Sequence, residues 1–243
     1  MIKIIIHITK FIVATITALL FASCNFNVNT IEGSGNVTTE KRIVEGDFTK
    51  ISVSNAIELV VEQSDTTEII VEADDNIQKE IITKVENGTL IIKSRHGTFR
   101  DTKRKVTVKT PKIDKLEASS ASTVSSKGLL QGENLDLETS SASTMDLNVE
   151  TENINIDSGS GSTVSIKGKA LRIKTSASSG SSINAHQLLA NEVHADASSG
   201  GSINVHPIVS LKAEASSGGS INYDIAPKTI EKTSNSGGSI SQG

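Results

Sequence analysis

Aromatic residues are scarce in this sequence of 243 residues, which has no tryptophan, one tyrosine and five phenylalanines. Large rings normally fill much of a globular core, and they also form stacking platforms for sugars and unpaired bases. The single cysteine excludes a disulfide framework and any CxxC metal or redox site. Asp and Glu outnumber Lys and Arg by 28 to 24, so the chain lacks the basic excess that nucleic-acid binding requires. We expect no nucleic-acid partner.

Residues 1–23 have the pattern of a signal peptide. Lys3 and Lys10 precede an apolar stretch, residues 11–22, which is short for a membrane-spanning helix. The small residues directly before Cys24 resemble the lipobox of bacterial lipoproteins. We therefore expect lipidation of Cys24 and attachment to a membrane through that lipid anchor. The alternative is an ordinary secretory signal followed by an incidental cysteine.

Residues 24–34 are predicted to form a polar tether after the anchor. No acidic run occurs within residues 25–29. In the Bacteroidetes-type lipoproteins that this region resembles, such a run is associated with export to the cell surface. We expect an outer-membrane lipoprotein of the cell envelope, either on the periplasmic side or on the surface, and the missing run favours the periplasmic side.

From Leu116 onward the chain repeats one unit seven times. Each copy has two aliphatic anchors separated by a Ser/Gly-rich segment such as residues 198–202. A period of about 19 residues is too short for a pair of helices, and it fits a β-solenoid whose coils hold short strands. The alternative is a disordered Ser/Gly-rich tract, which the regular anchors argue against. The second anchors stand at positions 124, 145, 164, 183, 203, 221 and 240.

Apolar and polar residues alternate around each anchor, as in a strand with one buried face. Leu211, Ala213 and Ala215 are predicted to face the interior, while Lys212 and Glu214 face solvent. Coils stacked about 4.8 Å apart turn each inward position into a ladder of aliphatic side chains. An interior one coil wide is filled by small aliphatic residues, which explains the scarcity of aromatic rings.

Residues 35–115 contain longer strand-like runs than the repeats of residues 116–243, and these predicted strands cover residues 51–54, 57–62, 67–72, 81–85, 90–93 and 105–110. Asn87-Gly88 predicts a tight hairpin, because both central positions of a type I′ turn need positive φ. We expect this more irregular β portion to cap one end of the solenoid, since an uncapped end exposes a sheet edge. The nearly all-polar residues 234–243 form either a second cap or a surface that pairs with another copy, which would give a homo-oligomer.

Several motifs resemble the "head GIN" domain family of auto-transporter adhesins. The sequence Gly-Ser-Ile-Asn occurs at 201–204 and 219–222, and a weaker copy covers 182–184. The run from Phe48 to Ile113 is similar to the first half of that domain. The resemblance covers roughly residues 40–240. It implies an all-β, right-handed parallel β-helix in a secreted or lipid-anchored protein, and it supplies no catalytic residues.

Stacked coils bring equivalent positions together, which predicts columns of polar side chains. One column follows the first anchors and contains the candidate binding residues Glu117, Glu138 and Asp157, continued by Lys174, His194, Lys212 and Glu231. Carboxylates at this spacing repel one another unless a cation lies between them, so Ca²⁺ binding is one interpretation. The other is a solvated face on which Lys174, expected beside Asp157, partly neutralises the charge.

A second predicted column contains Lys167, His186, His206 and Asp224. Two imidazoles and a carboxylate on successive coils could hold zinc as a three-ligand site, with Lys167 opposing the cation. The alternative is a pair of histidines exposed on a polar face. The amides of Asn184, Asn204 and Asn222 form a third column, which we interpret as structural.

Catalytic motifs are lacking, since none of the many serines lies in a GxSxG elbow. We expect a non-enzymatic envelope protein without a cofactor, acting as an adhesin or as a surface that binds a glycan or a protein. A periplasmic structural or stress-related lipoprotein is the first alternative. A glycan-processing β-helix enzyme that uses Glu138 or Asp157 is the second.

Overall fold

The protein is described by a computed structural model that covers residues 30–95 and 98–243, together with Lys10 and Thr15. Cys24 and, apart from those two residues, the predicted signal peptide lie outside this part of the chain. Within it, no helix is both long enough and apolar enough to cross a membrane.

The N-terminal strands correspond closely to the apolar runs of residues 50–110. The Asn87-Gly88 turn is confirmed, because φ is 51° and 73° at these residues and the flanking Glu86 and Thr89 are paired across it. The elements are β1 (Ile31–Glu32), β2 (Val37–Arg42), β3 (Lys50–Val53), β4 (Glu58–Gln63), β5 (Glu68–Asp74), a 3-10 helix (Gln78–Glu80), β6 (Ile81–Glu86), β7 (Thr89–Ser94), β8 (Phe99–Arg100) and β9 (Arg104–Thr110).

The repeats form coils that stack in register as parallel strands. Leu116 pairs with Leu137, and Leu137 pairs with Ile156 on the next coil. The predicted all-β parallel solenoid is therefore confirmed, with about seven turns. Its strands are β10 (Lys115–Ala118), β11 (Thr123–Ser126), β12 (Leu130–Thr139), β13 (Thr144–Ser158), β14 (Thr163–Ala177), β15 (Ser182–Ala197), β16 (Ser202–Ala215), β17 (Ser220–Tyr223), β18 (Thr229–Ser234) and β19 (Ser239–Gln242).

The interior is a set of aliphatic ladders that run along the stack. Burial alternates along β16, where Leu211, Ala213 and Ala215 are at most 2% exposed and Lys212 faces solvent. Six of the seven second anchors form a ladder without any solvent exposure, each side chain packing between neighbouring coils, and Ile240 on the last coil is partly buried. This ladder consists of Val124, Met145, Val164, Ile183, Ile203 and Ile221.

The N-terminal portion first adds parallel strands to the stack and then ends it with antiparallel strands. β3 pairs with β10 and β4 pairs with β11, both in parallel, and β7 and β9 add one further parallel level. Beyond that level the neighbours are antiparallel, because β6 folds back on β7 and β5 lies between β9 and β2. The reversal ends the parallel ladder, so this end of the solenoid cannot receive another parallel coil in the same way. β1 and β8 form a separate two-stranded sheet.

The coil of residues 229–242 keeps Ile230 and Ile240 at inward positions but has polar residues at the others, unlike the coil beneath it. Lys232 stacks on Ala213, Ser234 on Ala215 and Gln242 on Tyr223. The Lys232 ammonium lies 4.5 Å from the centre of the Tyr223 ring. Inward-pointing polar and charged residues are a common protection for an exposed sheet edge.

One prediction of register is wrong. Lys174 does not lie beside Asp157, because Asp157 pairs with Ser176 and Lys174 pairs with Asn155. Alignment of the internal repeats places Ile173 opposite Ile156, whereas the structure places Thr175 opposite Ile156. Thr175 is fully buried at a position where the preceding coil has Ile156. Because this anchor is polar, alignment by aliphatic residues selects Ile173, two residues too early.

Candidate functional site

Three outward columns of side chains run along the face formed by the first strands of the coils. The first, here called the Asn134 column, contains Asn134, Asn153, Arg172, Glu192, Ser210 and Thr229. The Asp136 column contains Asp136, Asn155, Lys174, His194, Lys212 and Glu231. The Glu117 column contains Glu117, Glu138, Asp157, Ser176, Asp196 and Glu214.

An open groove of about 890 Å³ lies between the Asn134 and Asp136 columns and crosses six coils. At the spacing of β-strands, six coils span about 24 Å along the solenoid axis. Aliphatic residues of the interior form the floor, and five of the six are only 2–3% exposed. Polar side chains of the two columns flank this floor, and apolar atoms make up the larger part of the exposed lining. The floor residues are Leu135, Ile154, Ile173, Val193, Leu211 and Ile230.

A chain of hydrogen bonds orients the Asn134 column. Arg172 Nε donates to Asn153 Oδ1 at 2.7 Å, and Asn153 Nδ2 donates to Asn134 Oδ1 at 2.9 Å. Each bond joins neighbouring coils, so the column is organised before any ligand binds. The terminal nitrogens of the Arg172 guanidinium point to no acceptor within the described chain and can serve as donors.

The basic side chains of the Asp136 column lie near the centre of the groove. Lys174, His194 and Lys212 follow one another on three successive coils. The Lys212 ammonium lies 2.8 Å from Glu214, and this contact raises the pKa of Lys212 and lowers the pKa of Glu214. Lys174 makes no ion pair with any residue that the structure describes. The carboxylates of Asp136 and Glu231 stand at the two ends of the column.

The predicted binding residues Glu117, Glu138 and Asp157 do come together, and they line a second depression of about 360 Å³. Lys115 Nζ lies 2.7 Å from both Glu117 and Glu138. These two hydrogen bonds raise the pKa of Lys115 above its ordinary value. Lys115 thus supplies, beside Glu117 and Glu138, the positive charge that the sequence predicts from Ca²⁺ or from Lys174.

The predicted zinc ligands are brought together only in part. His206 Nδ1 lies 2.8 Å from Asp224 Oδ2, whereas His186 Nδ1 lies 2.6 Å from Asn184 Oδ1. A register shift between Ala185 and Leu189 places His186 in a bulge, and Lys167 pairs with Gln187. Across the described ranges, no three His, Cys, Asp or Glu side chains are grouped so that they could hold a metal.

The asparagine column forms as predicted, since Asn184, Asn204 and Asn222 pair in register. Its side chains also bond outside the column: Asn184 contacts His186, and Ser241 donates to Asn222 Oδ1. The groove between the first two columns, in contrast, was not predicted. Alignment of the repeats joins Lys174, His194, Lys212 and Glu231, but it assigns them to the column of Glu117 and leaves out Asp136 and Asn155.

Coils stacked in parallel, closed by antiparallel strands and carrying long polar columns, define a β-solenoid with an extended surface. The family model described as "Putative auto-transporter adhesin, head GIN domain" matches residues 47–227. The chain belongs to this family. No curated protein matches the chain.

Solved structures show the same fold. A protein described as a putative adhesin from Bacteroides fragilis NCTC 9343 is 24% identical, with a TM-score of 0.80 over 87% of this chain and 99% of that one. A second putative adhesin, from Parabacteroides merdae ATCC 43184, is 20% identical, with a TM-score of 0.70 over 88% and 98%. A "putative lipid binding protein" from Parabacteroides distasonis ATCC 8503 is 20% identical, with a TM-score of 0.74 over 88% and 99%.

Proposed function

We propose that this protein is a non-enzymatic adhesin of the cell envelope, which binds a macromolecule along the groove between the Asn134 and Asp136 columns. The observation that carries the proposal is the length of this surface, because six coils contribute to one continuous groove. Many modest contacts repeated along a rigid surface suit a long ligand better than a small molecule enclosed in a pocket. Membership of a family of adhesins supports the same function.

The chemistry of the polar columns supports a binding role over catalysis. Glu138, a candidate acid for a glycan-processing enzyme, is 2.7 Å from the Lys115 ammonium and shares it with Glu117. Lys115 thus engages this carboxylate in an ion pair between neighbouring coils, which gives it a structural role. Neutralising Glu138 or Asp157 is therefore expected to leave binding in the groove intact.

The proposal includes lipidation of Cys24, and this lipid attaches the solenoid to the outer membrane. Metabolic labelling with a radioactive fatty acid is expected to mark the wild-type protein and not the Cys24→Ala variant. Labelling of both proteins, or of neither, would contradict lipidation at this residue.

Adhesion is tested by comparing cells that carry the protein with cells that lack it. We expect carrier cells to attach more strongly to immobilised glycans or matrix proteins, and we expect added purified protein to compete with that attachment. Equal attachment of the two strains on every surface would refute the adhesin proposal.

A periplasmic structural lipoprotein is the alternative function. The observation in its favour is the lack of an acidic run in residues 25–29 after Cys24. That role requires no external ligand and predicts no difference in attachment. It also predicts that the protein is shielded from reagents outside the cell.

A further inference from the structure

We propose that the ligand of the groove is an acidic polysaccharide, with a carboxylate or sulfate group held between Arg172 and Lys174. This inference rests on the proposed binding function and names the ligand class and the residues that would recognise it. Both side chains project from β14, two positions apart on the same outward face. An arginine fork and a lysine ammonium are the donors best suited to such anionic groups.

The free positive charge of the groove is concentrated at these two residues. Lys212 is occupied by Glu214, at 2.8 Å. Arg172 is held only through Nε by Asn153, at 2.7 Å, and Lys174 has no ion pair within the described residues. Asp136 and Glu231 at the two ends of the Asp136 column repel an anion there, and Glu192 repels it on the coil next to Arg172. A charged group on the ligand is therefore directed to the centre of the groove.

The remaining groups of the groove suit hydroxyl-rich neighbours of the charged group. Asn155 and His194 lie on either side of Lys174 in the same column, and Glu192 is paired with Arg172 on the next coil. Amide, imidazole and carboxylate groups together offer both donors and acceptors. Neutral parts of a sugar chain could thus form hydrogen bonds on both sides of the anionic group.

A peptide or a lipid fits this surface less well. Peptides commonly add a strand to a sheet edge or place apolar side chains into a hydrophobic groove. Here the central strands β13, β14 and β15 are hydrogen-bonded on both sides, so they present no free edge. The groove is open and its floor residues Ile154, Ile173 and Val193 are only 2–3% exposed, so it does not enclose an acyl chain as an apolar cavity would.

The test measures binding of the full chain, purified in detergent, to four polymers. Polygalacturonate supplies carboxylates, heparin supplies sulfates, dextran is a neutral glycan, and poly-L-glutamate is an acidic peptide. We expect binding to polygalacturonate, to heparin or to both, and the preference identifies the anionic group. Binding to neither polymer would overturn the proposal, as would equal binding to dextran. Poly-L-glutamate bound as tightly as the acidic glycans would show that an acidic peptide is the ligand class.

The double variant Arg172→Gln/Lys174→Gln locates the site. Its matched control is Lys167→Gln/Lys169→Gln, which removes the same charge from the same strand outside the groove. We expect roughly tenfold weaker binding for the groove variant, from two charge-assisted contacts, and a change of less than about twofold for the control. Equal losses would indicate non-specific attraction to basic residues and would overturn the site. Equal thermal unfolding midpoints show that both variants are folded.

Attachment of cells distinguishes failure of this inference from failure of the adhesin proposal. If cells with the groove variant attach as well as wild-type cells, while cells lacking the protein do not, the adhesin function stands and the ligand site is wrong. If cells lacking the protein attach normally, the proposed function itself fails.

Discussion

Two consecutive residues with positive φ form the turn between the first and second strands of every repeat. In the later coils the second of these residues is glycine, as at Gly200 and Gly218, with φ of 74° and 76°. In two earlier coils it is alanine, at Ala121 and Ala142, both with φ of 60°. A side chain disfavours this left-handed conformation, so these two coils carry local backbone strain.

Replacing Ala142 with glycine should therefore stabilise the protein. Removing the backbone strain of a left-handed alanine stabilises the folded state by more than the extra conformational entropy of glycine stabilises the unfolded chain. We therefore expect the free energy of unfolding to rise by about 0.5 kcal/mol. Urea denaturation of the wild type and Ala142→Gly measures the difference. Gly200→Ala at the equivalent turn should change stability in the opposite direction, and a gain for that variant would contradict this explanation.

Glycine has a separate role at the next position, where adjacent coils approach closely. A Cβ at Gly219 would lie 2.2 Å from the carbonyl oxygen of Ala197, whereas a Cβ at Gly218 would meet nothing within 4 Å. We expect Gly219→Ala to destabilise the protein by about 2–3 kcal/mol through steric overlap. Gly218→Ala is the control and should cost about 1 kcal/mol from backbone strain alone. Thermal unfolding that ranks the two variants in the reverse order would refute the steric account.

Serine occupies the close-approach position in the earlier coils, and in three of them its hydroxyl donates to the neighbouring coil, whereas Ser122 Oγ has no partner among the described residues. Ser143 Oγ donates to the carbonyl of Ala118 at 2.8 Å, and Ser181 Oγ donates to that of Ser158 at 2.6 Å. The repeats thus solve one steric problem in two ways, by a short hydrogen-bonding side chain or by none. The sequence shows the exchange of serine for glycine, but the coil-to-coil contact that requires it becomes visible only in the structure.

At the scale of elements, an ion-pair cluster joins three strands of the N-terminal cap. Glu68 on β5 contacts Lys109 on β9 at 2.8 Å and Lys41 on β2 at 2.5 Å. The hydrogen bonds from Lys109 and then Lys41 lower the pKa of Glu68 from 4.5 to about 2. Because the carboxyl ionises more readily in the folded protein, the cluster stabilises the cap above pH 4.5 and loses its effect as the pH falls towards 2.

Glu68→Gln should therefore reduce the dependence of stability on pH within this acidic range. Thermal unfolding midpoints between about pH 5 and pH 2 compare the variant with the wild type, and the wild type should lose more stability on acidification. Glu72→Gln, on the same strand and 3.9 Å from Lys105, is the control with a weaker contact. Identical pH profiles for the wild type and Glu68→Gln would exclude a contribution from this cluster.

Strands with a buried face could be predicted from the sequence, and strands without one could not. Alternation located β3 to β7 and β9 because their inward residues are aliphatic and buried, as at Ile51 and Val53. β2 was missed because its residues are mostly polar and Val37 is 49% exposed. Residues that pack between coils leave a periodic pattern, whereas a strand held mainly by backbone pairing leaves little signal.

The columns were predicted less accurately than the strands for a related reason. Glu117, Glu138 and Asp157 belong to coils with the same register and were aligned correctly. Lys174 and His186 were misplaced because a buried threonine and a bulge interrupt the pattern. A shift of two residues keeps every side chain on its face, so apolar alternation alone does not detect it.

At the scale of the whole molecule, the two ends of the solenoid are closed by different means. Antiparallel strands close the N-terminal end, while the coil of residues 229–242 turns Lys232 and Gln242 inward. The sequence left open whether this coil caps the stack or pairs with another copy. These inward polar side chains favour the capping role, because a further coil would have to bury them.

We therefore expect the wild type to sediment as a monomer. The double variant Lys232→Ala/Gln242→Val gives the coil an apolar interior and should self-associate at the same concentration. Analytical ultracentrifugation in detergent measures both, and Lys228→Ala/Ser241→Val, which alters exposed neighbours, is the control. A wild-type dimer that dissociates when residues 229–243 are removed would show that the coil is an interface.

The central claim is that the solenoid presents its groove to the medium as a binding surface. Protease and antibody accessibility on intact cells, compared with lysed cells, tests it most directly, with a periplasmic protein as the control for leakage. We predict that intact cells are labelled by an antibody to the solenoid and that external protease removes the signal. Protection until lysis would contradict the adhesin proposal and support the periplasmic structural role.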